Sequence, residues 1–131
     1  MTRKRRILIV EDNDTLRESL RRLFAREGHE LVTTNGAEEG LGIVLGHLFD
    51  LILVDLRLPR AHGDRFIEQV RSLGCRSEIV MMTGYGSEET LAAVRAMGAR
   101  AVVTKDGEFH QKILETVRSV LLTPNQAETA Q

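Results

Sequence analysis

Cysteine is nearly absent from the chain: Cys75 is the only one in 131 residues. It cannot form an internal bridge, which fits a reducing compartment. Long apolar runs are absent too, and none approaches the roughly 20 residues that a membrane helix requires. The basic start Thr2-Arg3-Lys4-Arg5-Arg6 leads into only four strongly apolar residues, too short for the core of a signal peptide. A cytoplasmic location is therefore expected. Charge of one sign is also missing. The formal net charge is −1, so no overall basic field invites nucleic acid. The cluster Arg3 to Arg6 reads as a solvated lead-in to the first strand, because basic and aromatic residues do not recur on one face elsewhere.

What remains is an ordinary globular composition, 42% apolar and 28% charged. The length suits one domain with one core, burying about two-thirds of the unfolded surface without disulfide or metal. Strand-like and helix-like segments alternate along it. Ile7 to Val10 is a continuous aliphatic run, the mark of a strand covered on both faces. Any of Asp12, Asn13 or Asp14 can cap the helix that follows, where Leu16, Leu20, Leu23 and Phe24 recur at helical spacing and Gly28 stops it. Glu30 to Thr34 reads as the second strand. Ala37 to Leu48 reads as the second helix, weakened by Gly40, Gly42 and Gly46. Leu51 to Val54 is the third strand, and Gly63 to Leu73 the third helix, with Phe66, Ile67 and Val70 inward. Ile79 to Met82 is the fourth strand, and Ser87 to Met97 the fourth helix. Ala101 to Val103 is the fifth strand. Glu108 to Leu122 is the last helix, with Ile113, Val117, Val120 and Leu121 at core spacing.

Strict alternation with apolar strands predicts an α/β fold, a parallel sheet with helices on both faces. Residues 1–122 form one domain without internal repeats. Thr123 to Gln131 is polar and aperiodic, a frayed tail or the start of a linker, and both readings stay open.

In such a sheet, ligands bind beyond the carboxyl ends of the strands. Glu11-Asp12 follows the first strand, Asp55 the third, Thr83-Gly84 the fourth and Lys105 the fifth. The second ends in Thr33-Thr34-Asn35 and offers nothing comparable. Each residue has a plainer use: Asp12 as a cap, Asp55 in a turn, Thr83 opening a loop, Lys105 in solvent. Their convergence on one edge favours a site. Three clustered carboxylates raise one another's pKa unless a cation is present. Mg²⁺ suits them, because it takes one or two carboxylates and completes its shell with water and phosphate oxygens. A carboxylate can also form an aspartyl-phosphate. Mg²⁺, Lys105 and the Thr83 hydroxyl could then neutralise the transferring group, and Gly84 leaves room for a donor.

The segments Ile9-Val10-Glu11-Asp12, Val54-Asp55-Leu56-Arg57-Leu58-Pro59 with Gly63, Met82-Thr83-Gly84 and Gly98 to Lys105 resemble those of response-regulator receiver domains. The resemblance spans residues 5–122. It implies a flavodoxin-like (βα)5 doubly wound sheet in the order 2-1-3-4-5. It further implies that Asp55 accepts a phosphoryl group from a sensor histidine kinase or histidine phosphotransfer protein. Glu11, Asp12, Asp55 and the backbone carbonyl of Arg57 would hold Mg²⁺, while Thr83 and Lys105 would contact the phosphoryl group. The protein would be a phosphoacceptor signalling domain and not an enzyme. The output surface would be formed by the fourth helix, fifth strand and fifth helix, a face through which many relatives form homodimers. Arg57 and Tyr85 occupy positions that modulate dephosphorylation, which implies a phosphorylated state lasting beyond seconds.

Two positions depart from the family. Val102 stands where an aromatic residue is usual, leaving little side chain to signal through. Asp106 replaces the proline that usually follows the lysine, so the cis peptide often found there is not expected; a cap or turn role suits it. A pseudo-receiver acting as an interaction module would keep the fold without the chemistry, but all the key positions are filled. A phosphatase on this fold would want an acid where Arg57 stands. A flavin module would want a Ser/Thr/Gly-rich loop after the first strand, and no Gly-x-x-x-x-Gly-Lys loop occurs. His29, His47, His62 and His110 are dispersed and read as surface or packing residues.

Overall fold

In the computed structural model, residues 4–58, 61–84 and 87–123 are described, with only the backbone at 61–62. The first aliphatic run forms β1 (Arg6–Val10), and four further runs form β2 (Glu30–Thr34), β3 (Leu51–Asp55), β6 (Glu78–Thr83) and β7 (Ala101–Thr104). They pair in parallel in the order β2-β1-β3-β6-β7, which is 2-1-3-4-5 when only the strands of this sheet are counted. This is the flavodoxin-like doubly wound arrangement.

Among the described residues five helices cover the sheet: α1 (Asp14–Arg26), α2 (Ala37–Gly46), α3 (Gly63–Ser72), α4 (Glu88–Ala96) and α5 (Phe109–Leu122). The strands alternate sides with period two, and that alternation divides the core. Ile7, Ile9, Leu51, Leu53, Val80 and Met82 meet Leu20 and Phe24 of α1 and Ile113 and Val117 of α5. Leu8, Val10, Ile52, Val54, Ile79 and Met81 meet Val44 of α2, Phe66, Ile67 and Val70 of α3, and Val94 of α4. Burial of both faces is why these strands read as unbroken apolar runs.

Local chemistry sets the helix ends. Asn13 caps α1, its side chain accepting from the Leu16 amide at 2.8 Å, and Ser87 caps α4 through the Thr90 amide. Gly28 follows α1 with φ 91°, a conformation that glycine enters without strain. The second helix stops at Gly46, two residues short of the expected Leu48. His47 is extended, and Leu48 lies 89% exposed.

One element escaped the sequence. Between β3 and α3, Arg57–Leu58 (β4) pairs antiparallel with Ala61–His62 (β5). Two-residue strands carry no periodic pattern, so only the fold reveals them. Pro59, within this connection, lies outside the described residues, as do Arg3, Tyr85 and the tail from residue 124 onward.

Candidate functional site

The chain leaves β1 for β2 on one side of the sheet and continues from β3 to β6 and β7 on the other. The reversal therefore falls between the adjacent strands β1 and β3, and a crevice opens at their carboxyl ends. Val10 is in register with Val54, so Glu11 and Asp55 emerge side by side there. Asp55 is in register with Met82 and Thr83 with Thr104, which brings Thr83 and Lys105 to the same edge.

Glu11, Asp12 and Asp55 each offer a carboxylate oxygen, and these oxygens lie within 4.8 Å of one another. Glu11 is fully buried and Asp55 nearly so, whereas Asp12 is exposed. Lys105 reaches in from the end of β7. Its Nζ donates to Glu11 Oε1 at 2.7 Å and to Asp55 Oδ2 at 2.9 Å. The other oxygens take backbone amides: Asn13 donates to Glu11 Oε2 and Arg57 to Asp55 Oδ1, both at 3.0 Å.

Electrostatics follow from that geometry. Burial raises the pKa of Glu11, opposed by its hydrogen bonds from Lys105 and the Asn13 amide, and the Asp55 charge pushes it further up. Burial works against the Lys105 ammonium as well. The hydrogen bonds and charges of Glu11 and Asp55 outweigh it, so its pKa lies above the ordinary lysine value. Three carboxylates against one ammonium leave the crevice two charges negative when all are ionised. Such a charge favours a hard divalent cation, and the donor set is all oxygen, as Mg²⁺ requires.

The structure thus gathers Glu11, Asp12, Asp55 and Lys105 into one cluster. Thr83 ends β6 beside it, fully buried, its carbonyl accepting from the Lys105 amide at 2.7 Å. Arg57 is exposed, and its amide, not only the carbonyl expected to face a metal, has work here because it orients Asp55. Asp12 is free of capping duty, since Asn13 does that.

Two supports were not anticipated. Arg17 donates from one guanidinium nitrogen to the Glu11 carbonyl at 2.9 Å while its other nitrogen pairs with Asp14. The Asp14–Arg17 spacing is a visible helix pair, but its reach back to Glu11, just past β1, is not. Gly63, at the start of α3, is packed so closely that a Cβ would stand 2.5 Å from the Asp55 carbonyl oxygen and 2.8 Å from Leu56 Cα. The Asp55–Leu56 backbone needs glycine there for space.

Asp106 takes the turn role; the N-cap position of α5 falls to Glu108, without a side-chain cap bond. The described backbone holds no cis peptide, and Asp106 Oδ1 accepts from the Glu108 amide at 2.9 Å ahead of α5. Val102 is half-buried against the core on the α2–α4 side. Among the described residues, no helix is long and apolar enough to cross a membrane.

Comparison with known proteins agrees with the geometry. The family model described as "Response regulator receiver domain" matches residues 7–118. The chain is 31% identical over 122 residues to the regulatory protein AtoC of Escherichia coli, covering 93% of this chain and 26% of that protein. It is 29% identical to the transcriptional regulatory protein DltR of Streptococcus agalactiae, covering 92% of this chain and 56% of that one. The chain therefore spans roughly a quarter to a half of these relatives. Among solved structures, a CheY-like response regulator receiver domain protein from Methanospirillum hungatei superposes with TM-score 0.83 at 30% identity, covering 91% of this chain and 94% of that one. The signal receiver domain of a Vibrio parahaemolyticus Luxo repressor protein reaches 0.88 over 98% of both chains. At 17% identity it speaks for the fold alone.

Proposed function

This chain belongs to the response regulator receiver domain family, and from that membership we propose that Asp55 is its phosphoryl acceptor. The observation that supports this reading most is the pairing of Lys105 with both Asp55 and Glu11 across strands far apart in sequence. A helix cap or a turn aspartate would have no use for such a partner.

In the proposed reaction, an Asp55 oxygen attacks the phosphorus of a phosphohistidine on a sensor kinase or histidine phosphotransfer protein. The P–N bond breaks, the imidazole leaves with the bond's electrons, and Asp55 carries an acyl phosphate. Glu11, Asp12, Asp55 and the Arg57 carbonyl would hold Mg²⁺, which would supply positive charge near the phosphoryl oxygens. The Arg57 amide holds Asp55 facing the crevice. Lys105 shifts its ammonium from Glu11 toward the arriving phosphoryl oxygens, and the Thr83 hydroxyl donates to another. Burial of Glu11 and Thr83 keeps water away from the inner side.

The protein then acts as a signalling domain. The covalent phosphate biases it toward an active conformer, read out on the face of α4, β7 and α5, the surface for a downstream domain or partner or for a second copy. Val102 on β7 offers little bulk for that readout, which places more of it on Thr83 and the loop into α4.

Acetyl phosphate with Mg²⁺ should add one phosphoryl group to the intact protein, and D55N should remove the signal. Labelling of D55N at the wild-type level overturns the assignment, and a wild type that takes no label is what a pseudo-receiver acting as an interaction module would show. With Arg57 beside the site, the purified phosphoprotein should persist beyond seconds; decay within seconds would rule out shielding by this residue.

A further inference from the structure

Lys105 lies one residue beyond the last ladder pair of β7, its amide bonded to the Thr83 carbonyl at 2.7 Å while the residues after it have left the sheet. Its side chain must nonetheless place one nitrogen between two carboxylates, at 2.7 and 2.9 Å. A flexible four-carbon stem does this reliably only if the backbone beneath it is rigid. In place of the proline usual at this point, the chain has Asp106, and four hydrogen bonds converge on that residue. Its amide donates to the Thr104 carbonyl at 3.0 Å, and its carbonyl accepts from the Phe109 amide at 3.1 Å. Its Oδ1 accepts from the Glu108 amide at 2.9 Å, and its Oδ2 accepts from Lys112 Nζ at 2.8 Å. The peptide is trans, so no ring and no cis bond stiffens the turn; the carboxylate does.

We propose that Asp106 is a positioning residue for the phosphoryl-transfer site, clamping the turn after Lys105 so that the ammonium stands between Glu11 and Asp55. Lys112, one turn into α5, is the second half of the clamp, because it orients the carboxylate toward the Glu108 amide. The proposal rests on the reading of Asp55 as the acceptor. It extends that reading to two residues outside the site, whose side chains are 43% and 45% exposed. A plain turn residue would use the Glu108 amide alone and would be indifferent to Lys105.

The test is a double-mutant cycle on the rate of Asp55 labelling by acetyl phosphate at saturating Mg²⁺, below the melting transition of every variant. D106A is expected to slow labelling on the order of tenfold, the scale of a small misplacement of a reacting group. K112A, which leaves the bond to the Glu108 amide in place, is expected to slow it about threefold by the same route. In a K105A background both effects should shrink to less than about twofold, since the clamp would have nothing left to place. A turn that matters only for folding would leave its effect unchanged in that background, and this result overturns the proposal. So does labelling of D106A and K112A at the wild-type rate. If D106A does not fold, K112A decides alone: a wild-type rate overturns the clamp, and a slowing lost in K105A supports it. Failure of the wild-type protein to label on Asp55 is a different result. It overturns the acceptor reading and removes the ground for the clamp with it.

Discussion

Asp12 and Asn13 are neighbours with similar side chains, yet they serve different ends. Asn13 satisfies the first turn of α1, and this releases Asp12 to stand exposed at the mouth of the carboxylate cluster. The same division recurs at Lys105 and Asp106, where one side chain enters the crevice and the other holds the turn. His29 shows a third kind of residue, polar but structural. It is 7% exposed, and its Nδ1 accepts the Arg5 amide at 3.0 Å, so the ring must be neutral to hold that bond. Burial lowers its pKa below the ordinary 6.5, helped by the Arg5 charge and opposed by Glu27 and Asp50. With the folded value depressed, the unfolded chain binds the proton more readily. The contribution of His29 is then whole above pH 6.5 and is lost as pH falls through the folded value. Urea midpoints should therefore drop between pH 7.5 and 5.5, and H29A, less stable throughout, should show a flatter slope across that window. Parallel slopes would show that His29 is not the titrating group.

At the scale of elements, the connection from β3 to α3 governs the placement of Asp55. Asp55 ends the strand, the Arg57 amide turns back to it, and the Gly63 amide donates to the Leu56 carbonyl at 2.7 Å. The start of α3 thereby presses directly on the Asp55–Leu56 backbone, and a methyl group cannot fit between them. G63A should cost about 1–3 kcal/mol, because the contacts it meets are backbone and cannot rotate away. It should also slow labelling of Asp55 by about tenfold or more, since the displaced backbone is the one that carries that residue. Chemical denaturation and phosphorylation kinetics read the two effects separately. A variant as stable and as fast as the wild type would show that this close approach is not a constraint.

For the molecule as a whole, the sheet concentrates negative charge at one edge. Glu11 is the most deeply buried of the three carboxylates. Its pKa is raised in the fold, so its contribution is favourable only below the ordinary carboxylate value of 4.5 and is lost as pH rises. At neutral pH a bound cation would offset the mutual repulsion of the clustered carboxylates. Mg²⁺ at about tenfold its dissociation constant should add about 1.4 kcal/mol to folding stability. For a domain of this size that is a rise of about 5 °C in Tm. Calorimetry in Mg²⁺ and in NaCl of matched ionic strength would separate site binding from screening. D12A should respond less than the wild type, and an equal response would remove Asp12 from the ligand set.

Both the fold and the residue types of the site were legible because each leaves a local trace. Strands buried on two faces must be apolar throughout, and helices with one buried side must repeat near 3.6 residues, so Ile7 to Val10 and Ile113 to Leu121 declare themselves. Loops at strand ends show their polar residues directly, and Glu11, Asp12, Asp55, Thr83 and Lys105 could be named from position alone. Partnership leaves no such trace. Whether Asp12 or Asn13 caps α1 depends on backbone dihedrals, and the short β4–β5 ladder has no period to detect. That Lys105 reaches Glu11 and Asp55, 94 and 50 positions away, follows from a sheet order that sets the first, third and last strands within one side chain's reach. Hydrophobic patterning is a property of neighbours along the chain, whereas a hydrogen bond is a property of distances in space, and those exist only once the sheet has formed.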